Sequence, residues 1–515
     1  MTEIVDEALR KVAKGTIIFF IGTLIYWLLE FVCRIIIARG TTQTEYGLFS
    51  LGYVLLSVFV IIATLGLDSG TTRYIAYFRG RREDNKVKST IYSSLQLALI
   101  TSILFSLVAF FSADIISQTV FHNYELSAVL KIFAIAIPFV VITNMLVSFF
   151  RGFGSVKEKI YFQDILMSVL RVSFILAALL LGYKFLGIIY AYLLSIVITT
   201  TAFIIYAIKR VPKSEKNVLN SVPMQRELLY FSLPLLATST LGIIMSRVDT
   251  LMLGYFKTAD IVGLYNAAHP ISQFISVALS SMLFIYIPIA TSLYSKNLIP
   301  EMGRNYVILT KWVSSATLPL FLILLLFPKP ILNILFGADY VQASTALQIL
   351  ALGYFIRNLT GPNGATLIVV GETRFLMWAS LTGTIMNVIM NILLIPPFGI
   401  VGASIASVIS LTAINIIRCW KLYSLFRILF INKNVLKPII LSTAVIFVVT
   451  LIFKNFVTAT AWLLIPLFVL FILLHFIALL LTKGLDREDI NMLLALEERT
   501  GFDLKKVREV LKRFV

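Results

Sequence analysis

Acidic residues are scarce in this chain. Of 515 residues only 26 are Asp or Glu, against 44 Lys or Arg, and charged residues of both signs reach only 14%. Histidine and cysteine are scarcer still, at three and two. His122, His269 and His475 lie far apart, with no second His or Cys at metal-ligand spacing, so no metal site is expected. Cys33 and Cys419 imply neither a disulfide framework nor a metal cluster. The sequence also lacks a GxxxxGK[ST] phosphate loop and an HExxH motif. These absences exclude ATP use by that loop and zincin-type hydrolysis. They favour moving a molecule over transforming one, and no cofactor is expected.

What the chain has in quantity is apolar residues, 59% of the total, where soluble domains hold nearer 45–50%. Hydropathy gives about fourteen runs long enough to cross a bilayer, at 14–38, 46–78, 88–111, 126–150, 160–182, 187–208, 227–254, 262–294, 304–327, 340–370, 374–395, 400–424, 436–453 and 459–481. The expected fold class is therefore all-α, a polytopic membrane protein with about 14 transmembrane helices. The second, eighth and tenth runs exceed one crossing and should tilt, kink or extend. The first fourteen residues hold Glu3, Asp6, Glu7, Arg10, Lys11 and Lys14, which does not suit a cleavable signal peptide. A net charge of +18 could suggest nucleic acid. The basic residues instead sit in short loops between apolar runs, where they set topology, so no nucleic-acid partner is expected. Arg79, Arg81, Arg82, Arg151, Lys157, Lys209, Arg210, Arg226, Arg374 and Arg418 fall on one side in this reading, and Arg39, Lys184, Lys257, Lys329 and Lys454 on the other. That asymmetry puts the first side and both termini in the cytoplasm.

An internal repeat divides the chain. Tyr46-Gly-Leu-Phe49 matches Val262-Gly-Leu-Tyr265, Gly154 matches Gly371, and Phe185-Leu-Gly-Ile-Ile-Tyr-Ala191 matches Pro397-Phe-Gly-Ile-Val-Gly-Ala403. The offsets are 216 residues (47 to 263), 217 (154 to 371) and 212 (187 to 399). Two pseudo-symmetric six-helix lobes follow, in parallel orientation because six is even, with a cavity expected between them. The expected domains are an N-lobe at 1–210 (helices 1–6), a cytoplasmic linker at 211–226 with Pro212 and Pro223, a C-lobe at 227–424 (helices 7–12), helices 13–14 at 425–482, and a charged helical tail at 483–515. In the tail, Asp486 and Asp503 are candidate N-caps and Gly501 a helix end.

The candidate functional residues are charges inside apolar runs. The seventh run, FSLPLLATSTLGIIMSRVDTLMLGYF from Phe231 to Phe256, carries Arg247 and Asp249, roughly 200° apart around a helix. Thr238, Gly242, Ser246 and Asp249 share one face. Glu30 and Arg34 lie four apart on the first run, so they share a face and can pair. Arg171 is mid-run in the fifth, Arg357 and Asn358 in the tenth, and Asp68 and Arg73 in the second. A lipid-facing charge costs roughly 2.5–3.5 kcal/mol, so most of these should face a shared polar interior. The bland alternative is burial for packing specificity alone, or, for Arg73, snorkelling to the interface. The deep arginines (34, 171, 247, 357) outnumber the deep acids (Glu30, Asp249). A cationic interior suits an anionic passenger, and guanidinium suits phosphate through its donor fork. Glu30, Asp68 and Asp249 are the candidates for coupling to H⁺ or Na⁺. Gly361 and Pro362 form a candidate hinge: within a continuous helix the Pro362 ring would clash with the Asn358 carbonyl and free it. A static proline kink is the plain alternative.

The motifs RVDTLMLGYF at 247–256, YGLF at 46–49, GLDSGTTR at 66–73 and FGIVGA at 398–403 resemble the polysaccharide transporters, the Wzx-type flippases of the multidrug/oligosaccharidyl-lipid/polysaccharide exporter superfamily. The resemblance covers roughly residues 10–480 and leaves the tail unmatched. It implies two six-helix bundles in a V with two extra C-terminal helices, alternating access, and a lipid-linked oligosaccharide (polyprenyl-pyrophosphate) flipped across the cell membrane. Its implied partners are that passenger, membrane lipids, and the polysaccharide polymerase and glycosyltransferases of the same biosynthesis. It assigns no roles beyond a charged cavity lining. Runner-up readings are a multidrug or cation antiporter, which would prefer an acidic cavity, a peptidoglycan-precursor flippase, and, from a different class, a membrane-embedded glycosyl-transferring enzyme.

Overall fold

The computed structural model describes residues 22–210, 224–427, 433–459, 461–482 and 484. The expected linker prolines Pro212 and Pro223, and the tail residues Asp486, Gly501 and Asp503, lie outside the described residues. Every regular element among the described residues is helical. Helix α1 spans 22–40. It is followed by α2 (Gln43–Thr64), α3 (Leu67–Gly80), α4 (Asp84–Ile115), α5 (Glu125–Gly152), a π-helix (Lys159–Leu166), α6 (Met167–Leu180), α7 (Phe185–Arg210), α8 (Gln225–Phe256) and α9 (Ala259–Gln273). The chain continues through α10 (Ile275–Ser295), α11 (Ile299–Leu326), α12 (Pro328–Leu335), α13 (Ser344–Leu359), α14 (Asn363–Val369), α15 (Thr373–Phe426), α16 (Lys433–Ala459) and α17 (Leu464–Leu481). Two compact units result, Met1–Asn266 and Ala267–Val515, with the division inside α9.

Polarity runs opposite to that of a water-soluble protein. Phe111, Leu180, Trp462 and Ile465 stand in the open, while Thr71, Ser94, Thr199 and Asn391 are enclosed. A helix satisfies its own backbone, so apolar side chains can face hydrocarbon while small polar ones bridge helices inside. Thr143 on α5 and Thr200 on α7 bond at 2.8 Å in this way. The chain is a multi-pass membrane protein.

Eight helices among the described residues are long and apolar enough to cross a membrane, or nine if α10, bent by 43°, counts as one span. That measure, taken over the described residues, does not confirm the expected fourteen, and several expected spans are broken or joined. The run 46–78 divides at Leu65 and Gly66, both left-handed (φ 51° and 69°), where a Cβ on Gly66 would meet the Ser232 carbonyl of α8. The run 262–294 divides between α9 and α10. The runs 374–395 and 400–424 are both contained in α15, which is non-helical at Gly399 (φ 54°, ψ −128°). There the chain doubles back: a Cβ on Gly402 would strike the Leu394 carbonyl, and one on Gly383 would strike Ile414.

The tenth run, 340–370, is also interrupted, and here the expected proline clash does not occur. Helix α13 stops at Leu359, Gly361 is left-handed (φ 67°), and Pro362 is the N-cap of α14. Its ring therefore has no helical carbonyl behind it. The Asn358 carbonyl is not freed; it accepts the Gly361 N–H at 3.0 Å.

The repeat has a geometric counterpart. Gly154 (φ 79°) and Gly371 (φ 84°) close α5 and α14 alike: Gly154 N–H bonds Arg151 and Ser155 N–H bonds Phe150, while Gly371 bonds Ile368 and Glu372 bonds Leu367. Left-handed glycine is a common helix stop. Gly47 and Gly263 meet reciprocally within the first unit. A Cβ on Gly47 would hit the Ala259 carbonyl, and one on Gly263 the Gln43 carbonyl. The two contacts span 212 and 220 residues, either side of the 216-residue offset between Gly47 and Gly263. The start of α2 is fixed there by a capping box, Thr42 N–H to Glu45 Oε2 at 2.8 Å and Glu45 N–H to Thr42 Oγ1 at 3.2 Å.

Candidate anion-binding site

Within the first unit, five helices bring three of the four deep arginines together. Helix α1 supplies Glu30 and Arg34, α2 supplies Tyr46 and Tyr53, α6 supplies Arg171, α7 supplies Tyr192 and α8 supplies Arg247. Arg171 is buried. Its Nη1 donates to Glu30 Oε2 at 2.5 Å, its guanidinium carbon lies 4.2 Å from the Tyr192 ring centre, and its Nε has no hydrogen-bond partner among the described residues. Glu30 thus takes Arg171 as its ion-pair partner rather than Arg34. The i,i+4 spacing does put Glu30 and Arg34 on one face, but α6 delivers a guanidinium to the carboxylate directly, and Arg34 turns to the rings of α2.

Arg34 stands 5.5 Å from the Tyr53 ring centre, and Arg247 stands 5.5 Å from the same ring. The Tyr46 side chain adjoins Arg34, and its hydroxyl donates to the Asn266 carbonyl at 3.2 Å. Tyr53 and Tyr192 meet edge to face at 6.3 Å, which joins the two halves of the cluster. Neither Arg34 nor Arg247 forms an ion pair among the described residues. Aromatic faces compensate a guanidinium only in part, by about 0.5–2 kcal/mol each. Three cations and one carboxylate leave an excess of positive charge lined by phenol rings, and such a surface attracts anions carrying several acceptor oxygens.

The other expected residues lie elsewhere. Asp249 is buried and accepts the Tyr265 hydroxyl at 2.7 Å. On its expected helical face, Gly242 and Ser246 are exposed, while the side chain of Thr238 lies outside the described residues. Asp68 sits, half-buried, in the first turn of α3. Arg73 is exposed and lies 4.2 Å from the Phe231 ring centre. In the second unit Asn358 is fully enclosed, and its Nδ2 donates to the Ile275 carbonyl at 2.7 Å. Arg357 is half-buried and lies within electrostatic reach of Arg418. The interruption beside it is held from two sides: the Tyr306 hydroxyl donates to the Thr360 carbonyl at 2.5 Å, and Asn363 Nδ2 donates to Asn415 Oδ1 at 2.9 Å.

Comparison with known proteins decides the family. The profile of the polysaccharide biosynthesis protein family matches residues 12–294, more than half of the chain. The chain belongs to that family. A MatE profile matches residues 234–393 as well. An uncharacterized membrane protein of Methanocaldococcus jannaschii, MJ1068, is 25% identical over 444 residues, 83% of this chain and 86% of that one. The probable low-salt glycan biosynthesis flippase Agl15 of Haloferax volcanii is 26% identical over 427 residues, 81% and 85% of the two chains. The solved lipid II flippase MurJ, in an inward closed conformation, shares the fold with TM-score 0.67 at 16% identity, over 89% of this chain and 98% of that one. The family is one of Wzx-type flippases, as its motifs suggested: this polysaccharide-family protein is a membrane transporter and not an enzyme.

Three buried or part-buried charges of this transporter escaped the sequence reading. Arg418, counted there among loop cations, lies inside α15 and donates to Ser380 Oγ at 3.0 Å. Lys311 is buried in α11 and donates to the Gly484 carbonyl at 3.1 Å. Asp164 is buried in the π-helix and pairs with Lys159 at 2.8 Å. The signal for the last two was available, since both stand inside apolar runs. For Arg418 it was weak, because the run fades immediately after it at Trp420 and Lys421.

Proposed function

We infer that the protein flips an anionic lipid-linked oligosaccharide, a polyprenyl-pyrophosphate carrying a polysaccharide repeat unit, across the cytoplasmic membrane by alternating access. The observation that carries this reading is the pair Arg34 and Arg247 at the ring of one tyrosine, Tyr53, with no carboxylate paired to either among the described residues. Arg171 belongs to the same lining and is held by Glu30. A cation antiporter would need the opposite sign of interior. The flippase names of Agl15 and MurJ support a lipid-linked passenger. The basic loop residues favour cytoplasmic termini. Arg357 and Asn358 serve in the second unit, with the Gly361–Pro362 interruption as the point about which Arg357 is re-aimed. A polyprenyl-pyrophosphate moving outward gains about 2.3 kcal/mol per charge per 100 mV of inside-negative potential. Among the acids proposed for H⁺ or Na⁺ coupling, Glu30 and Asp249 already hold Arg171 and Tyr265, which leaves Asp68 as the first to test.

The test is transfer of a labelled polyprenyl-pyrophosphate oligosaccharide between leaflets of liposomes containing the purified protein. Arg34→Lys and Arg247→Lys should each slow transfer about tenfold or more, because a point charge replaces a donor fork. Unchanged transfer by both alanine variants at normal protein levels would refute the reading.

A further inference from the structure

A groove of about 850 Å³ opens on the first unit, between the π-helix with α6 and the end of α7. Its floor is aromatic. Phe162 stacks on Phe203, with centroids 4.4 Å apart and planes 6° from parallel, and meets Tyr206 at 5.1 Å. Its wall is the apolar side of the helix at Leu166 and Val169. Its mouth carries Lys157 and Arg210, with the Arg210 guanidinium 5.6 Å from the Tyr206 ring centre. Glu158 is the sole acid among the described lining residues and is bonded by the Ser155 hydroxyl. The π-helical register is wider than an α-helix and shifts the faces that follow it. Here the part-buried Lys159 pairs with the buried Asp164 across that stretch at 2.8 Å.

We propose that this groove is a binding site for one anionic phospholipid, its phosphate between Lys157 and Arg210 and an acyl chain along Leu166 and Val169. Polarity is graded along one direction: Arg210 at the end of α7 and Lys157 just ahead of the π-helix, then Tyr206, then the aliphatic Leu166 and Val169. That order repeats the order of a bilayer leaflet from headgroup to hydrocarbon, and Lys, Arg and Tyr are the usual side chains at that boundary. A free phosphate would use the cations and leave the apolar wall unused. A zwitterionic lipid would fill the wall and bring no net charge to the mouth. The site is separate from the Tyr53 cluster and would hold a resident of the leaflet, not the passenger.

The test is native mass spectrometry of the full-length protein in detergent, titrated with dioleoyl phosphatidylglycerol, dioleoyl phosphatidylcholine and glycerol phosphate. Phosphatidylglycerol should bind in preference to phosphatidylcholine. Each of Lys157→Gln and Arg210→Gln should weaken it about fivefold, the change expected per basic residue near an anionic surface. Val169→Trp fills the wall without altering charge and should also weaken it, which keeps the test decisive if the charge variants express poorly. Equal binding of phosphatidylcholine, undiminished binding in the variants, or displacement by glycerol phosphate alone would overturn the proposal. So would displacement by polyprenyl phosphate at lower concentration than by phosphatidylglycerol, which would give the groove to the passenger's tail.

Discussion

Two stretches hold the same place in the repeat and are built differently. Helix α5 runs unbroken from Glu125 to Gly152. Its counterpart, 217 residues on, ends at Leu359 and restarts at Asn363. The divergence rests on two residues: Asn144 and Met145 in the first copy, Gly361 and Pro362 in the second. Asn144 keeps a helical backbone, and its side chain accepts Gln163 at 3.1 Å. Gly361 takes a left-handed turn that ends one helix, and Pro362 begins the next. One copy therefore carries its arginine cluster beside a continuous rod, while Arg357 in the other stands two residues before the end of its helix. The two stretches share their helix stops at Gly154 and Gly371 and differ in continuity.

The comparison predicts that removing an arginine costs far more in the first unit than in the second. Arg171→Ala would strand the Glu30 carboxylate, a loss of about 3–5 kcal/mol for a broken buried pair. Arg357→Ala breaks no ion pair among the described residues and should cost less than about 1 kcal/mol. Thermal unfolding in detergent with yield as a cross-check measures both, and equal losses would erase the contrast.

Next in size is the interruption itself. Gly361→Ala puts a Cβ at φ 67° and against Thr310 Oγ1. The backbone term alone is about 1–2 kcal/mol, and displacing Thr310 adds to it. Asn144→Ala at the matching place should lose only the worth of one hydrogen bond, about 1 kcal/mol. A Gly361→Ala protein as stable as the parent would mean that the left-handed turn is not required.

The smallest effect should come from Pro362→Ala. Proline here ends no helix by collision; it stiffens an N-cap, so its loss should cost about 0.4–1 kcal/mol through the unfolded chain. Cysteine accessibility on either side of residue 362 should not change. A proline kink inside a continuous span would straighten instead, and altered accessibility in this variant would restore that picture.

Much of this was legible in the sequence because hydrocarbon imposes simple rules. Apolar runs had to be helices, glycines 154 and 371 matched because both end helices with positive φ, and deep arginines had to find company. The partners were not legible. Glu30 and Arg34 are close in sequence, yet the carboxylate chose Arg171, and which helix arrives beside a charge is decided by tertiary packing. The tenth run looked like a bent helix because hydropathy does not register a left-handed turn. Lys311 and Asp164 were visible as charges, but their backbone and lysine partners were not.

The Glu30–Arg171 pair has a consequence for how the protein is made. The two residues are 141 apart. At roughly 5–20 residues per second of synthesis, the first waits on the order of ten seconds for the second. During that interval a nascent helix must enter or linger at the bilayer with an unsatisfied carboxylate. The cation then at hand is Arg34, one turn along the same helix. An arginine four residues from a part-buried carboxylate is thus a cation available to it before its final partner on α6 has been made.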